Sequence, residues 1–136
     1  MMTGGSGSKI QMMQHQADAV LNQVAVQNTW YTVLDAKNTR IINIAWNETI
    51  ANETIEVRLT VDGNVLAGSH AATAATWYYI TWDAITAQTL QINSVVTIHV
   101  YKAFFLEGRS VKLEFRKTTN LGASAIVVVC KHAKIP

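Results

Sequence analysis

Apolar residues recur at every second position over most of this chain, and that period leaves few folds open. It is clearest from Glu53 to Gly68, ETIEVRLTVDGNVLAG, where Ile55, Val57, Leu59 and Val61 alternate with Glu56, Arg58, Thr60 and Asp62. A strand sends successive side chains to opposite faces, so this one has a dry face and a wet face. Asp62-Gly63 then supplies two residues that accept positive φ, as a tight hairpin turn requires.

The same period places strands at Trp30 to Asp35 (WYTVLD) and, after a Lys37-Asn38 turn, at Arg40 to Trp46, with Ile42, Ile44 and Trp46 on one face. NETIANETI reads as a polar loop; its two Asn-Glu-Thr triplets, at Asn47 and Asn52, match the glycosylation pattern by chance. Gly68 to Ala75 (GSHAATAA) is small and strand-poor, a surface loop. Trp77 to Trp82 carries bulky groups on both faces, and Leu90 and Ile92 suggest a short extra strand. Val95 to Leu106 is a long strand turned by Glu107-Gly108. Arg109 to Thr118 sets Val111, Leu113 and Phe115 against Lys112, Glu114 and Arg116, and Ala125 to His132 is apolar on both faces. A strand with two apolar faces is central in its sheet or covered by another element or subunit.

The start of the chain breaks the pattern. Residues 1–8, MMTGGSGS, read as a flexible tail, or one that assembly orders. Ser8 to Gln11 fits a capping box, and an amphipathic helix is expected over 9–23. Its stripe is Ile10, Met13, Ala17, Val20 and Val24, suited to lying on a sandwich or to forming a short oligomerising stalk. Residues 24–136 then form one β domain, because 136 residues suffice for a single core and not for two. The fold expected is all-β: an antiparallel β-sandwich with jelly-roll wiring and one N-terminal α-helix, an open barrel being the alternative.

Composition bears on function by exclusion. Only 15% of residues are charged, against about 25% in an ordinary globular domain. The polar surface must therefore be Thr, Asn, Gln and Ser, which resists association less and favours an assembled subunit. The net charge of +2 comes from scattered residues, so nucleic acid is not an expected partner. No basic segment leads into an apolar run and no stretch approaches the roughly 18 apolar residues of a membrane span, so neither a signal peptide nor an anchor is expected. Cys130 is the single cysteine, which leaves no intrachain disulfide and suggests a buried, inert thiol.

No catalytic constellation is visible. The histidines at 15, 70, 99 and 132 lack acidic or thiol partners at metal-site spacing, and Asp18, Asp35, Asp62 and Asp83 are isolated helix-face or turn residues. With no phosphate loop and no Gly-x-Ser-x-Gly elbow, an enzyme is not expected, nor a cofactor or metal. The aromatic cluster Trp77, Tyr78, Tyr79 and Trp82 is the one group with binding chemistry, as core, as subunit interface, or as a stacking platform for sugar rings.

WYTVLDAKNTRIINIAW followed by ETIEVRLTVDGNVLAG, covering Trp30 to Gly68, resembles a pattern of small β-sandwich virion proteins of tailed phages and related viruses. Those proteins serve in fibre, spike, tail or capsid-decoration roles. The resemblance implies a non-enzymatic structural subunit located in the virion. Its partners would be copies of itself, a trimer favoured, other virion proteins, and a glycan or host receptor. The alternative from another class is a carbohydrate-binding module built on Trp77, Tyr79 or Trp82.

Overall fold

Asp62 and Gly63 take φ values of 49° and 83°, and the hairpin they close has Val61 opposite Asn64, as the sequence requires. The computed structural model describes residues 16–49, 52–73, 76–86, 89–95 and 106–136. Within them the chain is all-β, with strands β1 (Gln16–Val24), β2 (Tyr31–Glu48), β3 (Thr54–Val61), β4 (Asn64–Ala71), β5 (Trp77–Thr86), β6 (Thr89–Val95), β7 (Leu106–Lys117) and β8 (Ala125–Lys134). They join in a single mixed sheet of order β1-β8-β2-β5-β6-β4-β3-β7, antiparallel except where β4 meets β6. Because β7 also pairs with β2, six of these strands close a circuit, and β8 and β1 extend from it as a flank.

That circuit depends on one long strand. β2 pairs with β7 from Tyr31 to Ile41, then with β8 from Thr39 to Glu48, and touches β5 at Ala45 and Trp46. The Lys37-Asn38 turn expected from sequence is a kink inside this strand, with Asn38 at φ 49°. Asn tolerates that left-handed conformation because its short polar side chain bonds locally, so the chain bends without stopping. An irregularity in the pairing between Ile41 and Asn43 then shifts the alternation, and Ile41 rather than Ile42 joins Ile44 and Trp46 in the core.

The expected helix is corrected from Gln16 onward. That segment is β1, paired with β8 in unbroken register from Gln16 opposite Ala133 to Val24 opposite Ala125. Ala19 and Leu21 pack on the core while Val20 and Val24 face outward, a period of two in place of the supposed helical stripe. Ala, Leu and Gln favour a helix and Val, Asn and Asp only weakly, so the local preference is mixed and nine residues of pairing to β8 override it. The rest of that helix, with Ile10, Met13 and the tail, lies outside the described residues. So do His15, His99 and residues 96–105 of the expected long strand.

Two supposed breaks are strand in part: residues 68–71 of the first and Glu107-Gly108 of the second. GSHAATAA begins inside β4, and Gly68 is required there because a Cβ would stand 2.6 Å from the Leu90 carbonyl oxygen on β6. Glu107-Gly108 lies inside β7, where a Cβ on Gly108 would meet Val61 at 2.7 Å.

The core is one cluster built from the inward rows: Ile41, Ile44 and Trp46 of β2, Ile55, Val57 and Leu59 of β3, Val111, Leu113 and Phe115 of β7, and Ile126, Val128 and Cys130 of β8. Trp46 is its centre, edge-on to Phe115 at 5.1 Å and stacked on Tyr78 at 6.4 Å. Its indole N–H donates to Nε2 of His70 at 2.9 Å, which satisfies the polar atom that makes tryptophan costly to bury. Burial lowers the pKa of His70, a nearby carbonyl of Ala71 opposing the effect.

Candidate assembly surface

Residues paired directly across strands share a face, so the register assigns every outward row. On the β1–β8–β2–β5 side one row reads Val20, Val129, Ala45, Tyr79, since Val20 faces Val129, Val129 faces Ala45 and Ala45 faces Tyr79. All four are apolar or aromatic on a face that elsewhere in the molecule is charged. Val24 lies on the same face of β1, opposite Ala125, and Trp77 on the same face of β5 as Tyr79. Val20 and Val24 are 63% and 60% exposed, whereas Val129 and Tyr79 are half-buried and Ala45 is buried between them. Val127 and Val129 explain the two-faced look of β8: it is a central strand between β1 and β2, and its outer row forms part of this surface.

The aromatic cluster is split by the same parity. Tyr78 points into the core, and its hydroxyl accepts the Thr73 N–H at 2.6 Å, so it is no ligand platform. Trp77 and Tyr79 are half-buried on the outer face, and the Trp82 side chain lies outside the described residues. Of the supposed helical stripe, Val20 and Val24 reach this surface, whereas Ala17 falls in the alternate row with Ala19 and Leu21.

β1 also ends the sheet. Among the described residues no strand pairs with its edge away from β8. Within β1 itself the protecting devices of an edge strand are missing: from Gln16 to Val24 it has no proline, no lysine, no break in register and a single charge, Asp18, which stands 3.9 Å from Lys131 of β8. Burial, together with the Asp18 charge, pushes the Cys130 thiol up to about 12, so it is inert beneath this flank. His132, on the same strand, is lowered by burial, the Asp18 charge opposing.

The β3–β7 side is built differently. Glu56 and Arg58 on β3 stand directly opposite Arg116 and Glu114 on β7, so each charge faces its opposite. Arg58 binds Glu114 through two hydrogen bonds of 3.0 Å, and Arg116 donates to Glu56. Both guanidinium groups lie on the Trp30 ring, at 4.0 and 4.5 Å from its centroid.

At the end of these strands the inward rows carry charge, a feature that the sequence reading missed. Glu53 and Lys117 are fully buried and bonded at 2.9 Å. Lys117 Nζ also donates to the Gly122 carbonyl and Ser124 Oγ, and Glu53 accepts from Thr119 Oγ1 and the Leu121 N–H. Burial opposes ionisation of Glu53. The Thr119, Lys117 and Leu121 hydrogen bonds and the Lys117 charge outweigh it and hold the carboxyl below its ordinary value. All three ammonium donors are used, so the pair ties the 118–124 loop to β3. Strand parity was the available signal, because Glu53 falls in the row of Ile55 and Val57, and Lys117 in that of Leu113 and Phe115.

Among the described residues no group of three or more His, Cys, Asp or Glu is placed to hold a metal ion. Comparison with known proteins found no matching family model and no matching curated protein. Among solved structures the chain is similar to one in the crystal structure of the T13 IBDV viral particle, with 11% identity and a TM-score of 0.32. The match covers 90% of this chain and 36% of that one, so the chain spans about a third of its length. At that score the likeness carries no argument about fold or function.

Proposed function

We propose that this chain is a non-enzymatic structural subunit of a virion, acting by self-assembly, with host-surface attachment as a further role. The observation that carries the self-assembly is the outward row Val20, Val129, Ala45, Tyr79, beside an edge of β1 that no described strand pairs with: an apolar row bordered by the Asp18–Lys131 pair but without the ion pairs that finish the β3–β7 side. An exposed apolar patch next to an unpaired strand edge marks an interaction site. The virion assignment rests on the resemblance of Trp30 to Gly68 to small virion β-sandwich proteins, and with it come the jelly-roll sandwich, the trimer and the role as capsid, decoration, spike or fibre subunit. Sedimentation over a wide concentration range tests the first part, where a monomer at every concentration would sink it. Recovery of the chain in fixed stoichiometry from purified particles tests the second, and its absence from them would remove the virion reading.

A second reading keeps Trp77 and Tyr79 as a stacking platform for sugar rings, since both are half-buried on one outer face. Glycan binding lost in Trp77→Ala, with the fold intact, would promote it over assembly.

A further inference from the structure

We infer that β1 pairs with β1 of a second copy of this chain, antiparallel, about a two-fold axis through Val20. The inference rests on the self-assembly reading and names the partner and geometry at the open edge. Three features of β1 converge on a copy of itself. The first is register: an antiparallel pairing centred on Val20, the most exposed large apolar residue of β1, spans the described strand from Gln16 to Val24 and sets Val20 opposite Val20 of the second copy. Asp18 then faces Asn22, Gln16 faces Val24, Ala17 faces Gln23 and Ala19 faces Leu21. No like charges meet, although Asp18 is the one charge on the strand, whereas a parallel in-register pair would set Asp18 against itself.

The second feature is the outward row. Val20 is its last member within one copy, and the dyad extends it as Tyr79, Ala45, Val129, Val20 followed by the same four residues in reverse. The exposed Val20 side chains thereby cover each other, where each alone is 63% exposed to water. The third is the edge itself, paired with no described strand, whose outward N–H and C=O groups are matched by an identical strand in reverse, the self-complementarity a two-fold contact demands. A nine-residue edge contact is small, so it adds a pairwise link within a larger assembly and leaves room for a three-fold contact elsewhere.

Cysteine trapping tests this geometry. Directly opposed residues in an antiparallel pair have Cα atoms about 4.5 to 5.5 Å apart, within the span a disulfide bridges. Val20→Cys, mildly oxidised at a concentration where the full chain self-associates, is expected to run at twice the monomer mass and return to monomer on reduction. Val24→Cys, equally exposed but opposite Gln16, is expected to remain monomeric. The native Cys130 is buried and does not compete. Circular dichroism on both variants confirms that the fold is kept. If the chain self-associates but Val20→Cys fails to cross-link, or Val24→Cys cross-links as well, the β1 pairing is wrong while self-assembly stands. If the full chain is monomeric at every concentration, both fall together.

Discussion

The β3–β7 flank and the β1–β8 flank belong to one sheet and bury the same core, yet their outer faces are finished in opposite ways. On β3–β7, Glu56, Arg58, Glu114 and Arg116 neutralise each other in register and Trp30 covers the two guanidinium groups. That side is complete within one copy of the chain. On β1–β8 the outer positions include Val20, Val24, Val127 and Val129, with Asn22 among them and the Asp18–Lys131 pair at one end, and no described strand pairs with the edge beyond them. Two surfaces with the same backbone thus differ in what a second molecule can gain from them. Covering the first would desolvate satisfied ion pairs, and covering the second would remove apolar area from water.

If this contrast holds, substitutions on the β3–β7 side change stability and leave mass unchanged, and those on the β1–β8 side do the reverse. The largest effect is expected from Lys117→Ala, which strands the buried Glu53 carboxylate. Removing one partner of a buried pair costs about 3–5 kcal/mol, read as a lower urea midpoint. The pH dependence has a fixed sign. Glu53 is held below its ordinary 4.5, so its stabilisation is present above about pH 4.5 and is lost as pH falls through the lower folded value.

Trp30→Ala comes next, removing two cation–π contacts worth about 0.5–1 kcal/mol each. Urea unfolding should register that loss while sedimentation is unchanged; altered self-association would mean that the β3–β7 face is also an interface.

His70, half-buried on β4 beside Trp46, should give a smaller, pH-dependent effect. Its folded pKa lies below 6.5, so its contribution is full above about pH 6.5 and declines as pH falls through the folded value, where protonated Nε2 can no longer accept the Trp46 N–H. The urea midpoint should fall from pH 8 to pH 5, and His70→Asn should reduce that difference.

Smallest in stability and sharpest for the contrast is Val20→Lys. An exposed position should move stability by no more than about 0.5 kcal/mol, while self-association weakens at least tenfold because like charges meet at the dyad. Unaltered self-association would break the comparison.

Legibility from sequence followed how local the decisive interaction was. The Asp62-Gly63 hairpin, the inward row of β3 and the row Val111, Leu113, Phe115 were readable because backbone preference and alternation act over a few residues. β1 was not, because Ala17, Val20 and Val24 fit a helical stripe as well as a strand, and pairing with β8, more than a hundred residues later, decided between them. Lys37-Asn38 looked like a turn because Asn38 takes a turn residue's φ, but continued pairing on both sides makes it a kink. Glu53 and Lys117 carry no motif that marks them in the sequence, although parity puts both on the dry side; two buried charges become stable only when each supplies the other's partner across 64 positions.

The candidate surface divides in the same way. The excess of apolar residues at Trp77 to Trp82 and Ala125 to His132 was visible in the sequence, and so was the inference that such strands need cover. The sequence by itself determined an all-β chain, its surest hairpin and most of its core rows, because period two and turn chemistry are properties of neighbours along the chain. Tertiary structure alone decided that Tyr78 faces inward beside Trp46, that β1 is a strand and the last of the described sheet, and that Val20, Val129, Ala45 and Tyr79 form one row. Those outcomes depend on register between distant strands, where a shift of one residue exchanges the two faces.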